Sequence, residues 1–438
     1  MPALPMLIIM NAIFLIVFSI CCLGNAANSA GAANFFVIRG AKIYSLAGPP
    51  IDRGSVLIRA GKIVAVGKEI AVPAGAHIID ARGLEVYPGL VDAFSDLGLR
   101  EIINVAGTED TNELGPYNPQ LQSATAINPE SALIPVARSN GITHALTVSG
   151  WGAPISGQAA AIHLAGWTAD EMMVRRSAAM VATWPGLETR AFDFATFSAR
   201  YRPYLEAKRE YEKAEATFAD WIARARQYSQ TMRDKSPSEY VRDLKLEALV
   251  PVVRGELPLL IVAIRQRDIR NAVEFCDKQK LKMILAGGFE AWKVKDLLKA
   301  RNVPVILGSP YIMPADEDAG YDDSYSNAGI LSAAGVKIAF GSFDGSSSRR
   351  IPYYAGSTVP YGLPHDEAIR AVTIYPAQIL GIDDQLGTIE PGKIANLIVT
   401  NGDPLDIPTE VRYLFIKGQL IDIDNKQLRL YEKYRKRP

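Results

Sequence analysis

The stretch Val86-Tyr87-Pro88-Gly89-Leu90-Val91-Asp92-Ala93 marks the place where the chain changes texture. Before it come short β-like runs: Phe36-Val37-Ile38, Lys42-Ile43-Tyr44, Ser55-Val56-Leu57-Ile58, Lys62-Ile63-Val64-Ala65-Val66 and His77-Ile78-Ile79-Asp80. Gly40, Gly54, Gly61, Gly67 and Gly75 bound them, a spacing that predicts a small antiparallel domain. After it, helical and strand patterns alternate. Asn128-Pro129-Glu130 has the cap, first-turn proline and acidic residue of a helix start, Asn140-Gly141 ends that helix, and residues 142–148 read as a strand. The unit recurs as helix 268–280 and strand 281–286, helix 291–301 and strand 303–307, then helix 324–334 and strand 336–340. Residues 395–400, 411–417 and 419–422 return to strands without helices between them. Two β segments at opposite ends of a chain can pair when the middle closes on itself, so a composite β-domain beside an α/β barrel is expected.

Each strand of the middle runs into a loop rich in Gly, Ser or Asp: Ser149-Gly150-Trp151-Gly152, Gly287-Gly288, Gly308-Ser309 and Gly341-Ser342-Phe343-Asp344. In a (β/α) barrel such loops line the face where chemistry takes place. Residues 200–233 break the rhythm as one highly charged helix, with Tyr211, Ala214, Phe218, Trp221, Ala225 and Tyr228 at steps of three and four. That stripe fits an insertion packed by its aromatic face on the barrel; a substrate-closing lid or partner-binding arm is the alternative.

The 438 residues, 48% hydrophobic and 21% charged, suffice for a barrel-sized domain and a smaller one. Lys and Arg total 47, as do Asp and Glu, so the chain as a whole has no field of one sign to hold nucleic acid or an anionic membrane. Residues 7–23 are almost wholly apolar and uncharged and run into Gly24-Asn25-Ala26-Ala27, which predicts a signal peptide over residues 1–27 and an exported, periplasmic or secreted protein. The region before them has no Lys or Arg, so an uncleaved membrane anchor is the rival reading. Cys21 and Cys22 lie in this leader, leaving Cys276 without an internal partner in a helical pattern, as expected of a buried thiol.

Residues 86–93, directly after the β-rich start, resemble the entry to the first barrel strand of the amidohydrolase superfamily. Glu367-Ala368-Ile369-Arg370-Ala371-Val372-Thr373-Ile374-Tyr375-Pro376-Ala377-Gln378-Ile379-Leu380-Gly381-Ile382 and Leu386-Gly387-Thr388-Ile389-Glu390-Pro391-Gly392-Lys393-Ile394-Ala395-Asn396-Leu397 resemble its closing helix and return to the small domain. Within the superfamily the chain is most similar to the imidazolonepropionase-like branch. The resemblance implies a (β/α)8 TIM barrel over residues 87–387, a composite β-sandwich from residues 34–86 and 388–425, a small-molecule ligand, and zinc-dependent hydrolysis of non-peptide C–N bonds in small cyclic or linear amides. A homo-oligomer stays open.

The same resemblance implies metal-binding histidines that this chain lacks. The family's first strand carries His-x-His after Asp-Ala, two imidazoles on one side of a strand reaching a common metal. Phe94 and Asp96 stand there, Val262 falls at the fifth-strand histidine and Gly287 at the sixth. Asp96 can offer an oxygen, but a metal held by it alone would bind weakly. Asp344, or with a one-residue shift Phe343, matches the eighth-strand aspartate. It has two readings: general base toward a metal-activated water, or cap of the loop Asp344-Gly345-Ser346-Ser347-Ser348. His77, His144, His163 and His365 form no ligand pair by spacing; His163, after the loop Ile155-Ser156-Gly157-Gln158, is the one carried forward as a catalytic candidate. Asp92 is expected to be structural, and Glu290 to cap the helix that follows it. Two hypotheses result: a remodelled hydrolase using Asp96, Asp344 and His163 on an amide, lactam or ester, or an exported non-catalytic relative binding a small ligand or a protein.

Overall fold

A computed structural model describes residues 35–187, 189–193, 198–314 and 319–437. The expected leader, with Cys21 and Cys22, lies outside these residues. Five strands open the fold: β1 (Phe35–Ile43), β2 (Ile51–Arg59), β3 (Lys62–Gly67), β4 (His77–Asp80) and β5 (Glu85–Pro88). The barrel follows with β6 (Leu90–Ser95), β7 (Ile142–Thr147), β8 (Ile155–His163) and β9 (Met173–Thr183). An outlying hairpin, β10 (Arg190–Asp193) and β11 (Ser198–Tyr201), precedes the remaining barrel strands β12 (Leu259–Ala263), β13 (Met283–Gly287), β14 (Val305–Leu307) and β15 (Ile338–Phe340). The chain ends with β16 (Leu397–Thr400), β17 (Val411–Ile416) and β18 (Gln419–Ile421).

The two ends of the chain meet in one sheet ordered β18-β17-β16-β5-β1-β2-β3, with β4 also paired to β1. The sheet forks at β1: residues 36–39 pair with β4 and residues 42–43 with β5. The seam between the terminal segments is β5 against β16, Val86 opposite Val399 and Pro88 opposite Leu397. Ile38, Ile43, Val56, Ile58, Leu397 and Phe415 bury a common core there, so neither segment can bury its apolar face without the other.

The barrel has eight strands in the order β6 to β9 and β12 to β15. Seven run parallel, while β8 is antiparallel to both its neighbours. That departs from eight identical βα units, and the cause is the connection between β7 and β8: a parallel neighbour needs a crossover of a dozen residues or more, which the stretch 148–154 cannot supply. Period-two alternation fills the interior. Leu260, Val262, Ile284, Ala286, Ile306 and Ala339 point inward with Phe94, whereas Leu259, Ile261, Leu285, Val305 and Ile338 face the helical layer.

The helix Tyr204–Asp234 buries Tyr211, Phe218, Ile222, Ala225 and Tyr228 against that layer. Tyr211 accepts from Trp184 Nε1 at 3.3 Å and from Asn271 Nδ2 at 2.7 Å, and Trp221 stacks on Tyr117 at 5.2 Å. Its aromatic stripe is therefore part of the barrel wall. Cys276 is buried, and burial pushes its thiol up to about 12, which suits a core residue and not a nucleophile. Two local expectations need correction. The first barrel helix spans Leu133–Ser139, because Asn128 Oδ1 takes the Glu130 N–H at 3.0 Å and closes a separate turn. Glu290 does not cap its own helix: its Oε2 accepts from Gln266 N at 2.6 Å, capping the neighbouring helix Gln266–Lys278.

Candidate functional site

The mouth of the barrel is built around the line where its last strand meets its first. Beyond β15 the chain passes β6 without forming a regular ladder, and three backbone N–H groups reach across. Ser342 N donates to Asp92 Oδ1 at 2.9 Å, Phe343 N to the Phe94 carbonyl at 2.8 Å, and Gly345 N to Asp96 Oδ1 at 2.6 Å. Two carboxylates and one carbonyl of β6 and its exit thus satisfy donors that would otherwise be buried unpaired. Two glycines allow the approach. A Cβ on Gly341 would lie 2.7 Å from Phe94 Cβ, and one on Gly345 would lie 3.1 Å from both Asp96 Oδ1 and Leu97 Cα.

Asp96, a catalytic candidate from the sequence, is buried and engaged at both oxygens: Oδ2 pairs with Arg100 and Oδ1 holds Gly345. Burial is the main influence on its carboxyl and raises it above the usual range; the Gly345 N–H and Arg100 oppose this, and nearby Asp344 adds to it. Asp344 caps the short helical turn Gly345–Arg350. Oδ1 accepts from Ser346 N at 3.1 Å, and Oδ2 from the Ser346 and Ser347 hydroxyls at 2.7 and 3.1 Å. Of the two readings of Asp344, the capping one describes its contacts.

Between the two aspartates the mouth is aromatic. Fully buried Phe94 stacks on Phe343 with centroids 4.2 Å apart and planes 19° apart, and Trp151 meets Phe343 edge-on at 6.0 Å. Phe343 has φ +58°, a left-handed conformation that a bulky residue rarely adopts and that the surrounding contacts hold in place. Trp151 remains nearly half exposed, and Leu114, Ile264, Tyr311, Met313 and Tyr321 are exposed on loops at the same end.

His163 is not at the mouth. β8 runs antiparallel, so its last residue lies at the opposite end, paired with His144 near the start of β7. Their rings are 5.2 Å apart, and Asn396 Nδ2 contacts His144 Nε2 and lies 3.0 Å from His163 Nδ1. The Thr143 hydroxyl is 2.7 Å from His144 Nδ1, and Asn396 Oδ1 accepts from Lys417 N at 2.7 Å. Burial drives the His144 imidazole well below its usual range and takes His163 down to about 3, with the positive Lys417 contributing. Both rings are neutral acceptors that tie the barrel floor to the β-domain. His163 therefore cannot work with Asp96 or Asp344, and the expectation that it joins them fails. Of the remaining histidines, His77 stacks on Phe36 at 5.5 Å and His365 contacts Asp403.

These side chains do not fit the zinc that the family resemblance implies. Phe94 has no donor atom, Val262 is an inward core residue at 3% exposure, and the oxygens of Asp96 and Asp344 already have partners. At Gly287 the backbone itself disagrees: φ is +88°, and a Cβ would lie 3.3 Å from the Ala263 carbonyl. An imidazole there would need a different strand ending, not only a different side chain. Among the described residues no group of three or more His, Cys, Asp or Glu is placed to hold a metal ion.

Sequence reading assigned Asp92 to structure but missed what it holds. It is fully buried, and burial raises its carboxyl to about 6 against the opposing bonds from Ser342 and Phe94 N–H. Among the described residues its Oδ2 has no partner in hydrogen-bonding geometry, nor does the buried Ser348 hydroxyl, which lies close enough to ease the charge. The available signal was the pair of glycines flanking Ser342-Phe343-Asp344, which announces a close approach without naming its partner.

Comparison with known proteins agrees with this architecture. Residues 272–421 match the family model described as Amidohydrolase family, a region running from the helix before β13 to β18 that does not include β6. Over 397 residues the chain is 26% identical to amidohydrolase tasK of Hapsidospora irregularis, covering 83% of this chain but only 39% of that relative. A crystal structure of an amidohydrolase from Thermotoga maritima MSB8 superposes with a TM-score of 0.76 at 24% identity, covering 88% of this chain and 99% of the other. The structure of phenylurea hydrolase B does so with a TM-score of 0.55 at 16% identity, over 89% and 97% of the two chains. At these identities the structural likeness is one of fold.

Proposed function

We propose that this chain is a non-hydrolytic relative of the amidohydrolases that binds an organic ligand with apolar surface at the barrel mouth, in place of metal-dependent hydrolysis of C–N bonds. One observation carries the reading: the Phe94–Phe343 stack occupies the mouth between two carboxylates whose oxygens already serve backbone and hydroxyl donors. A general base needs a free oxygen within reach of the proton it takes, and a metal needs several converging donors. Trp151, half exposed beside Phe343, supplies a face on which an apolar or planar group can rest.

The second reading, a remodelled hydrolase of small amides or ureas, draws on one feature: Asp96 and Asp344 are close enough for one charge to raise the other's carboxyl. It requires the seam to open so that both carboxylates are freed. The two readings separate in one experiment. Purified chain is dialysed against zinc, assayed for bound metal, and incubated with a panel of cyclic imides, linear amides and phenylureas. Trp151 fluorescence is followed with the same compounds, using Trp151→Phe as reference. Quenching of the Trp151 signal, with neither stoichiometric metal nor hydrolysis, supports the binding reading. About one equivalent of zinc that disappears, together with C–N hydrolysis, in Asp344→Ala would establish the hydrolase instead.

A further inference from the structure

The last helix, Lys426–Tyr434, buries none of its residues against the other described residues. Its start is fixed: Asn425, 3% exposed, accepts from Gln427 N at 2.9 Å and from Leu428 N at 3.1 Å. Beyond that anchor the sequence is amphipathic in an unusual sense, because its apolar side chains face solvent. Leu428, Tyr431 and Tyr434, at steps of three, are 43%, 61% and 45% exposed, and Leu430 adds to them. A core-facing amphipathic helix would bury that row.

Charge is concentrated in the same place. Residues 426–437 carry Lys426, Arg429, Lys433, Arg435, Lys436 and Arg437 against the single acid Glu432, in a chain whose formal net charge is zero. Arg429 pairs with Asp424 and Arg435 with Glu432. Among the described residues, Lys426, Lys433, Lys436 and Arg437 have no carboxylate partner. The cations also lie over the aromatic rings: Arg437 is 4.4 Å from the Tyr434 centroid, Lys433 5.6 Å from the same ring, and Arg435 5.7 Å from Tyr431. Tyrosines with apolar bodies and polar tips, flanked by long cationic side chains, suit a boundary between hydrocarbon and anionic headgroups. A helix of nine residues is too short to cross a bilayer and can only lie on it.

From the exposed apolar row and the surrounding excess of cations we infer that the C-terminal helix docks on an anionic lipid surface, its tyrosines and leucines in the headgroup boundary and its lysines and arginines against the lipid charges. The docking is separate from any contact made by the apolar N-terminal segment and independent of what the barrel mouth does. Such binding strengthens with each cation near the surface and is screened by salt.

The test is flotation of the full chain with vesicles of phosphatidylcholine alone and of phosphatidylcholine containing phosphatidylglycerol. An inserted N-terminal segment would bind both kinds equally, so the helix is read as the excess on the anionic vesicles. That excess should be at least about tenfold at low salt and should collapse at high salt. It should also be lost both in Lys433→Glu/Lys436→Glu/Arg437→Glu and in Tyr431→Ser/Tyr434→Ser. These variants change exposed side chains only, and unchanged urea midpoints would confirm that each is folded. Equal binding to both vesicle types, or an anionic preference that survives the charge reversal, would overturn the inference. So would a concentration-dependent dimer that hides the two tyrosines from iodination in the absence of lipid, since a protein surface would then be the occupant.

Discussion

Replacing Asp92 by asparagine offers the sharpest test of the barrel seam, because it removes a charge while keeping the acceptor that Ser342 N uses. In the folded chain the Asp92 carboxyl stands at about 6, against an ordinary 3.8. Raising an acid's pKa on folding means that the native state holds the proton more tightly than the unfolded state does. The ionised form therefore weakens the fold above pH ~6, and the penalty vanishes below the unfolded value near pH ~4. A shift of about two units corresponds to about 3 kcal/mol for a group this fully buried. The amide introduced by D92N keeps an oxygen for Ser342 and Phe94 and turns a donor toward the Ser348 hydroxyl, which has no partner in hydrogen-bonding geometry among the described residues. Urea denaturation should find D92N more stable than the parent by up to about 3 kcal/mol at pH 8 and nearly equal to it at pH 4, with the difference changing between the two pKa values. Comparing the two proteins at the same pH cancels the histidines, whose titration is common to both. D92A, which leaves Ser342 N–H unpaired, should be less stable than D92N at every pH, by about 1 to 3 kcal/mol. A D92N protein weaker than the parent at pH 8 would contradict this account, because the negative charge would then have a favourable partner such as a bound cation.

Other perturbations test the neighbouring parts. Phe94→Ala should lower stability by about 3 to 5 kcal/mol in a urea melt, the cost of emptying a large buried ring site, and should change Trp151 emission through loss of the Phe343 stack. Asp344→Ala should cost about 1 to 2 kcal/mol, as expected for a lost cap, and leave metal content unaltered. His163, at about 3 in the folded chain, stays neutral while the unfolded chain protonates near the ordinary 6.5; its contribution is complete above pH 6.5 and lost as pH falls toward 3. Nitrogen-15 NMR should accordingly record neutral imidazole shifts for His144 and His163 at pH 5, and Asn396→Ala, which removes the donor both rings share, should lower stability in a urea melt.

Much of the architecture was legible because it follows from local period and punctuation. Glycine-bounded strands at both ends, helix and strand in alternation between them, and Ser/Gly/Asp loops after the strands imply a barrel with a two-ended β-domain, since an apolar strand face must find a partner. The residues alone also establish that Phe94, Val262 and Gly287 offer no imidazole, as donor atoms are properties of residues and not of folds. What they could not supply were relations between distant segments. The short stretch 148–154 obliges Ile155–His163 to run backwards, but only the closed barrel shows where that reversal carries His163: to the barrel floor beside Asn396, 233 positions away in the chain. Likewise, Asp92 and Asp96 read as ordinary carboxylates until the loop 249–250 positions further on brings its N–H groups to them. Residue chemistry sets what a side chain is able to do; strand direction and chain closure decided which partners it meets, because a hydrogen bond or a ligand site depends on a few ångströms that only the assembled barrel defines.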